Sequence, residues 1–162
     1  MWESGLEEAG ERGDFSTEEA AARIAAALGR PLTLAQLAAA WARAFEPDRE
    51  VLEIARTRRA RGAMGLLTNN GPLLLHALPT ALPEIAQGFD PLLFSCRLRA
   101  LKPTPALFAA VVRETGHEPE QILLIDDTPS TVEGARVAGL QAVLYTDPRT
   151  LRRELAELIE DA

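Results

Sequence analysis

Three short polar clusters carry the chemistry open to this sequence: Thr68-Asn69-Asn70-Gly71, Lys102-Pro103 and Asp126-Asp127-Thr128. A hydroxyl beside backbone N–H groups bonds phosphoryl oxygens, a lysine neutralises negative charge, and paired carboxylates hold a divalent cation such as Mg²⁺ through oxygen ligands. Together these groups handle a phosphate in the presence of a hard metal ion, and they lack only a charged nucleophile. Each also has a plain alternative. Thr68 can cap a following helix, Lys102 can be a surface lysine, and Asp126 and Asp127 can cap a helix beginning near Ser130.

The clusters gain meaning from the elements that precede them. The runs Met64–Thr68, Leu92–Ser95, Ile122–Asp126 and Ala142–Tyr145 have the length and apolar texture of buried parallel strands. Helical stretches separate or follow them: Pro103–Glu114, with Ala106, Leu107, Ala110 and Val111 on one stripe, then Ser130–Ala138 and Pro148–Ile159. This alternation predicts an open, Rossmann-like α/β parallel sheet with helices on both faces, where ligands bind beyond the carboxyl ends of the strands. Thr68 and Asp126 fall at such ends, and Lys102 follows the Leu92 run.

The first part of the chain reads as a small helical unit. Ser16 offers a capping hydroxyl with Glu19 three residues on, before the Ala-rich run Ala20–Leu28. Thr33 caps a second helix with Leu34, Leu37, Ala38, Trp41 and Phe45 at helical spacing, ended by Pro47. A third runs from Asp48 to Arg61, with Val51, Leu52, Ile54 and Ala55 inward and Arg56, Arg58, Arg59 and Arg61 near its C-terminal end, where cations suit the macrodipole.

Composition bounds the possibilities. With 162 residues, 47% hydrophobic, 25% charged and 5% aromatic, the expectation is one globular domain with at most a small appendage. Seventeen Lys+Arg against 24 Asp+Glu give a net charge of -7, which disfavours nucleic acid and anionic membranes as partners. The apolar runs are far shorter than the roughly 20 residues of a membrane helix. An acidic N-terminus without an apolar h-region reads as lacking a secretory signal, so the expected location is cytoplasmic. Cys96 alone makes no internal disulfide or cysteine-cluster metal site and reads as a small buried hydrophobe. His76 and His117 read as surface or packing residues, and Trp2, Trp41 and Phe45 as helix-packing residues rather than pocket walls. The oligomeric state is not legible.

The segments Leu66-Leu67-Thr68-Asn69-Asn70, Leu101-Lys102-Pro103-Thr104-Pro105-Ala106-Leu107-Phe108 and Ile122 through Ala135 resemble motifs II, III and IV of the haloacid dehalogenase superfamily of hydrolases, in that order. The resemblance covers nearly the whole chain. Residues 1–47 are similar to the small helical cap of the phosphatase-like branch, and 48–162 to its α/β core. It implies Mg²⁺-dependent hydrolysis of a small phosphorylated metabolite, a phosphate monoester, through an aspartyl-phosphate. Thr68 and the Asn69 backbone would then bond the phosphoryl group, and Lys102 would hold phosphate and the attacking carboxylate together. Asp127 would be the metal ligand, with Asp126 a second or water-mediated one. The acidic pair argues against haloacid dehalogenation itself, which needs no metal.

Two features depart from the family's pattern. Thr131 stands where the family usually has Asn or Asp. The larger departure concerns motif I, whose two aspartates, one residue apart, end a strand before the cap; no Asp-x-Asp occurs in this sequence. Asp14 and Asp48 read as helix caps, and Asp90 precedes a strand. The first core strand is therefore expected to be missing, and the chain to be truncated with its true start upstream. The runner-up is a non-catalytic phosphate- or metal-binding remnant acting as an interaction protein. A phosphoacceptor receiver domain would run acids, hydroxyl, lysine; the order here is hydroxyl, lysine, acids.

Overall fold

Capping chemistry sets the first helix starts. The computed structural model describes residues 4–60 and 62–160, so Trp2 and Arg61 lie outside the described residues. After α1 (Ser4–Glu11), Ser16 with Glu19 and Thr33 with Gln36 each close a capping box, opening α2 (Thr17–Ala27) and α3 (Leu34–Ala42). Asp48 Oδ1 accepts from the Glu50 and Val51 amides at 2.9 and 3.1 Å and starts α4 (Arg49–Arg59). Asp14 is not a cap; it lies between α1 and α2 and pairs with Arg12 at 3.2 Å. The second expected helix is shorter than its apolar spacing suggests. Tight bonds from Ala44 N to Trp41 O and from Phe45 N to Ala42 O wind it up after Ala42. Phe45 is thereby left exposed rather than packed.

The chain falls into two compact units. One comprises the residues up to Pro47 together with Ala63–Leu101; the other comprises Asp48–Gly62 together with the residues from Lys102 onward. The helical segment thus groups with part of what the sequence reading assigns to residues 48–162, and the border between Pro47 and Asp48 is common to both divisions.

In the first unit, β1 (Leu66–Thr68) pairs in parallel with β2 (Leu92–Phe94), with Leu66 opposite Leu92 and Thr68 opposite Phe94. Met64, expected in the strand, makes only an antiparallel bridge with Asp90. A parallel pair needs a long crossover. It is supplied by α5 (Pro72–Ala81) and α6 (Pro83–Gly88), in a stretch for which sequence patterning names no element. Pro79, inside α5, hides that helix because proline lacks an N–H and reads as a breaker. Its stripe of Leu73, Leu74, Ala77 and Leu78 is nevertheless buried, packing with Ile24 of α2, Leu37 and Ala38 of α3, and the fully buried Phe94. Burying a side chain of that size contributes about 2–3 kcal/mol. β2 runs directly into the short α7 (Ser95–Leu98). Gly13, at φ 77°, closes the turn after α1, and a Cβ there would collide with the Cys96 carbonyl oxygen, so only glycine lets this turn rest on α7.

In the second unit, β3 (Leu123–Asp126) pairs in parallel with β4 (Gln141–Leu144). Around them stand α8 (Pro105–Thr115), α9 (Pro129–Val137) and α10 (Pro148–Glu160). Period-two alternation sorts the strand residues. Leu123 packs with Ile54 of α4, Val143, and Leu151 and Leu155 of α10, whereas Leu124 packs with Phe108 of α8, Ala135 of α9 and Leu140. Ala106, expected on the inward stripe of α8, is exposed; Phe108 takes the place and is fully buried. The expected parallel α/β architecture is therefore present, among the described residues in the form of two two-stranded sheets. Among the described residues no helix is long and apolar enough to cross a membrane.

Candidate functional site

The last residue of β3 is Asp126, on the strand face that Leu124 presents to α8 and α9. Lys102 lies just before the start of α8, and its Nζ donates to Asp126 Oδ2 at 2.6 Å. Both side chains are largely buried, at 18% and 6% exposure, and a carboxylate so placed requires a charged or hydrogen-bonding partner. The other oxygen is also engaged: Asp126 Oδ1 accepts from Thr128 N at 2.9 Å. Gly134 of α9 makes room for this turn. A Cβ at Gly134 would stand 2.9 Å from the Pro103 carbonyl oxygen and 3.0 Å from Phe108 Cε2.

Asp127 is different. It is exposed, and its Oδ1 accepts from the Thr128 hydroxyl at 3.3 Å. Neither acid caps α9, whose N-cap is Thr128 without a side-chain bond. Thr131, at the position where the resemblance leads one to look for Asn or Asp, is buried. Carboxylate oxygen is the donor a hard cation takes, so the pair fits Mg²⁺ in kind. It does not fit in number, because among the described residues no three His, Cys, Asp or Glu side chains are gathered to hold a metal ion.

In the first unit, Thr68 ends β1 and its Oγ1 accepts a hydrogen bond from Asn70 Nδ2 at 2.8 Å. It does not cap the next helix: the N-cap of α5 is Gly71, without a side-chain bond. Asn69 is half-buried. The Asn70 backbone is tied to Ser95, its N–H donating to Ser95 Oγ at 3.1 Å and its carbonyl accepting from that hydroxyl at 3.4 Å. Residue type alone gives no role to Ser95 or to the Asn70 side chain. The signal that finds them is register, since Ser95 stands one residue beyond Phe94, the partner of Thr68. Cys96, next in the chain, is half-buried, and burial pushes its thiol pKa up, which keeps the thiolate scarce at neutral pH. His76 and His117 are exposed.

The family model for haloacid dehalogenase-like hydrolases matches residues 4–139. The chain belongs to this family. In this haloacid dehalogenase-like hydrolase, the segments resembling motifs II, III and IV occupy the end of β1, the turn before α8 and the end of β3. A phosphatase of Mycobacterium tuberculosis is 33% identical over 105 residues, which is 65% of this chain and 48% of that protein. A HAD-like family hydrolase of Porphyromonas gingivalis is 26% identical with a TM-score of 0.78, covering 97% of this chain and 80% of its own. A HAD family enzyme of Bacteroides thetaiotaomicron, solved with magnesium and inorganic phosphate, shares the fold at 22% identity and a TM-score of 0.73, over 85% of this chain and 73% of its own. The chain spans about half the length, or less, of the curated relatives it matches.

Proposed function

We propose that this haloacid dehalogenase-like hydrolase is of the phosphatase type, binding the phosphoryl group of a small phosphorylated metabolite, with residues 1–47 as the substrate-selecting cap and 48–162 as the core. The observation that carries the reading is strand-end placement. Thr68 and Asp126 each terminate a parallel strand, where α/β sheets bind ligands, and the Lys102 ammonium is held on Asp126.

The roles follow from the chemistry of each group. In the first unit the Thr68 hydroxyl and the Asn69 N–H are donors for phosphoryl oxygens; in the second, Lys102 supplies positive charge. Asp126 holds Lys102 in place. Asp127 would be the ligand offered to Mg²⁺, with Asp126, both of whose oxygens are engaged, a second or water-mediated one. When bound, the cation stabilises charge on the phosphoryl oxygens. The family resemblance implies an aspartyl-phosphate, for which an attacking carboxylate is needed, and residues 1–162 hold no Asp-x-Asp to supply it. The Thr68 hydroxyl accepts from the Asn70 amide, the Cys96 thiol is kept protonated, and Lys102 is paired with Asp126.

A second reading, a non-catalytic phosphate- or metal-binding interaction protein, draws on that same lack of Asp-x-Asp. The test is an aryl phosphate assay with Mg²⁺ beside a titration with inorganic phosphate. The expected result for residues 1–162 is phosphate binding, weakened by Thr68→Ala and by Lys102→Ala, without turnover. Turnover abolished by Asp127→Asn would reveal a nucleophile that these roles omit. Absence of phosphate binding would favour the interaction protein.

A further inference from the structure

The Thr68 hydroxyl can serve a phosphoryl oxygen only if its proton points away from the protein's own acceptors. A hydroxyl has one O–H and two lone pairs, so the partner already present decides where the proton faces. Here Asn70 Nδ2 donates to Thr68 Oγ1 at 2.8 Å, occupying a lone pair and leaving the O–H to donate elsewhere. That arrangement depends on holding the Asn70 amide group still, although Asn70 sits in the loop between β1 and α5. The restraint comes from 25 residues away: the Ser95 hydroxyl accepts from Asn70 N at 3.1 Å and donates to Asn70 O at 3.4 Å. Ser95 is 0% exposed and follows the fully buried Phe94. Its hydroxyl therefore has no water to turn to, and packing fixes the group it presents to the loop.

We propose that Ser95 is a positioning residue of the phosphate site: its buried hydroxyl clamps the Asn70 backbone, so that Asn70 Nδ2 engages Thr68 Oγ1 and directs the Thr68 O–H toward a phosphoryl oxygen. The proposal rests on the reading of Thr68 as a phosphate ligand. Ser95 itself touches no substrate. Two substitutions separate the links of the relay. Ser95→Ala unties the loop backbone, whereas Asn70→Ala keeps the backbone tie and removes only the amide donor, at a half-buried loop position where folding is little affected.

The experiment uses the full chain labelled with ¹⁵N, titrated with inorganic phosphate while the Asn69 amide signal is followed, together with hydrogen exchange at the amide of residue 70. Ser95→Ala is expected to speed that exchange and to weaken phosphate binding, each by about tenfold. Asn70→Ala is expected to weaken phosphate binding by a similar factor while the amide of residue 70 stays protected. A merely structural Ser95 would lower the unfolding midpoint and leave the phosphate affinity of the folded chain unchanged. That outcome overturns the proposal, as does unchanged affinity in Asn70→Ala, the variant that decides if Ser95→Ala does not fold. If the unsubstituted chain shows no phosphate-dependent shift at Asn69, the reading of Thr68 fails and the proposal falls with it. Equal binding by the unsubstituted chain and both variants sinks the positioning role alone.

Discussion

Lys102 Nζ stands 2.6 Å from Asp126 Oδ2 although 24 residues separate them in the chain. The contact joins the turn before α8 to the last residue of β3, and it forms because Asp126 lies on the strand face that α8 covers. A carboxylate there unites two elements as well as two charges.

Removing that carboxylate leaves the Lys102 charge largely buried and unpartnered by Asp126. Asp126→Ala is expected to destabilise the chain by about 3 kcal/mol, since breaking one side of a buried ion pair costs more than the pair itself contributes. Asp127→Asn, at an exposed position, should stay within about 0.5 kcal/mol. Urea unfolding at neutral pH checks the contrast, and equal losses in the two variants would contradict the different placements of the two acids.

Magnesium binding to residues 1–162 should be weak. Mg²⁺ favours near-octahedral oxygen coordination, and of the adjacent pair Asp126-Asp127 only Asp127 is exposed. A calorimetric titration is expected to show no saturation at about 1 mM Mg²⁺, with the residual heat lost in Asp127→Asn. Tight stoichiometric binding that survives the substitution would refute the ligand assignment.

Asp147 predicts an acid response in α10. Its Oδ1 accepts from the Arg149 and Thr150 amides at 2.9 and 3.0 Å, and its Oδ2 from the Thr150 hydroxyl at 2.7 Å. The Thr150 amide bond foremost, and then the Thr150 hydroxyl, hold its carboxyl below the ordinary 3.8. With a folded pKa below the unfolded one, the contribution is complete above the unfolded value and is lost as pH falls through the folded value. Amide protection factors in the first turn of α10, taken against intrinsic exchange at each pH, should therefore fall on acidification from about pH 5 to pH 2. Asp147→Ala should show low protection at neutral pH already and respond less to acid. The same acid response in both proteins would remove Asp147 from this role.

Gly13→Ala tests the seat of the first helical turn. Both the positive φ and the Cys96 carbonyl oxygen oppose a side chain there, and the expected loss is about 2–4 kcal/mol. Gly5→Ala, where a Cβ meets nothing within 4 Å, is the control and should be neutral or slightly stabilising. Thermal unfolding of the two variants side by side decides the matter.

Much of the site was legible because its signals are local. The capping boxes at Ser16 and Thr33 and the Asp48 cap each depend on residues within one helical turn. Thr68 and Asp126 could be placed at strand ends because a short apolar run followed by polar residues reads as a strand and its exit. Local rules were also misleading where a distant surface overrode them. Pro79 conceals α5, a helix kept by burial of its Leu73, Leu74 and Leu78 face against α2 and α3. Phe45 kept its helical spacing but lies beyond the end of α3.

Residue order and type alone established the three polar clusters, their succession along a β-α-β pattern and the lack of an Asp-x-Asp pair. Which groups meet was decided by packing. Asp126 engages Lys102 because strand parity and the seating of α8 bring them together, and Ser95 reaches Asn70 because β1 and β2 pair in parallel with Thr68 opposite Phe94. Spacing along the chain encodes neither contact, since residues 24 and 25 positions apart meet only after apolar faces have been buried and a strand register chosen.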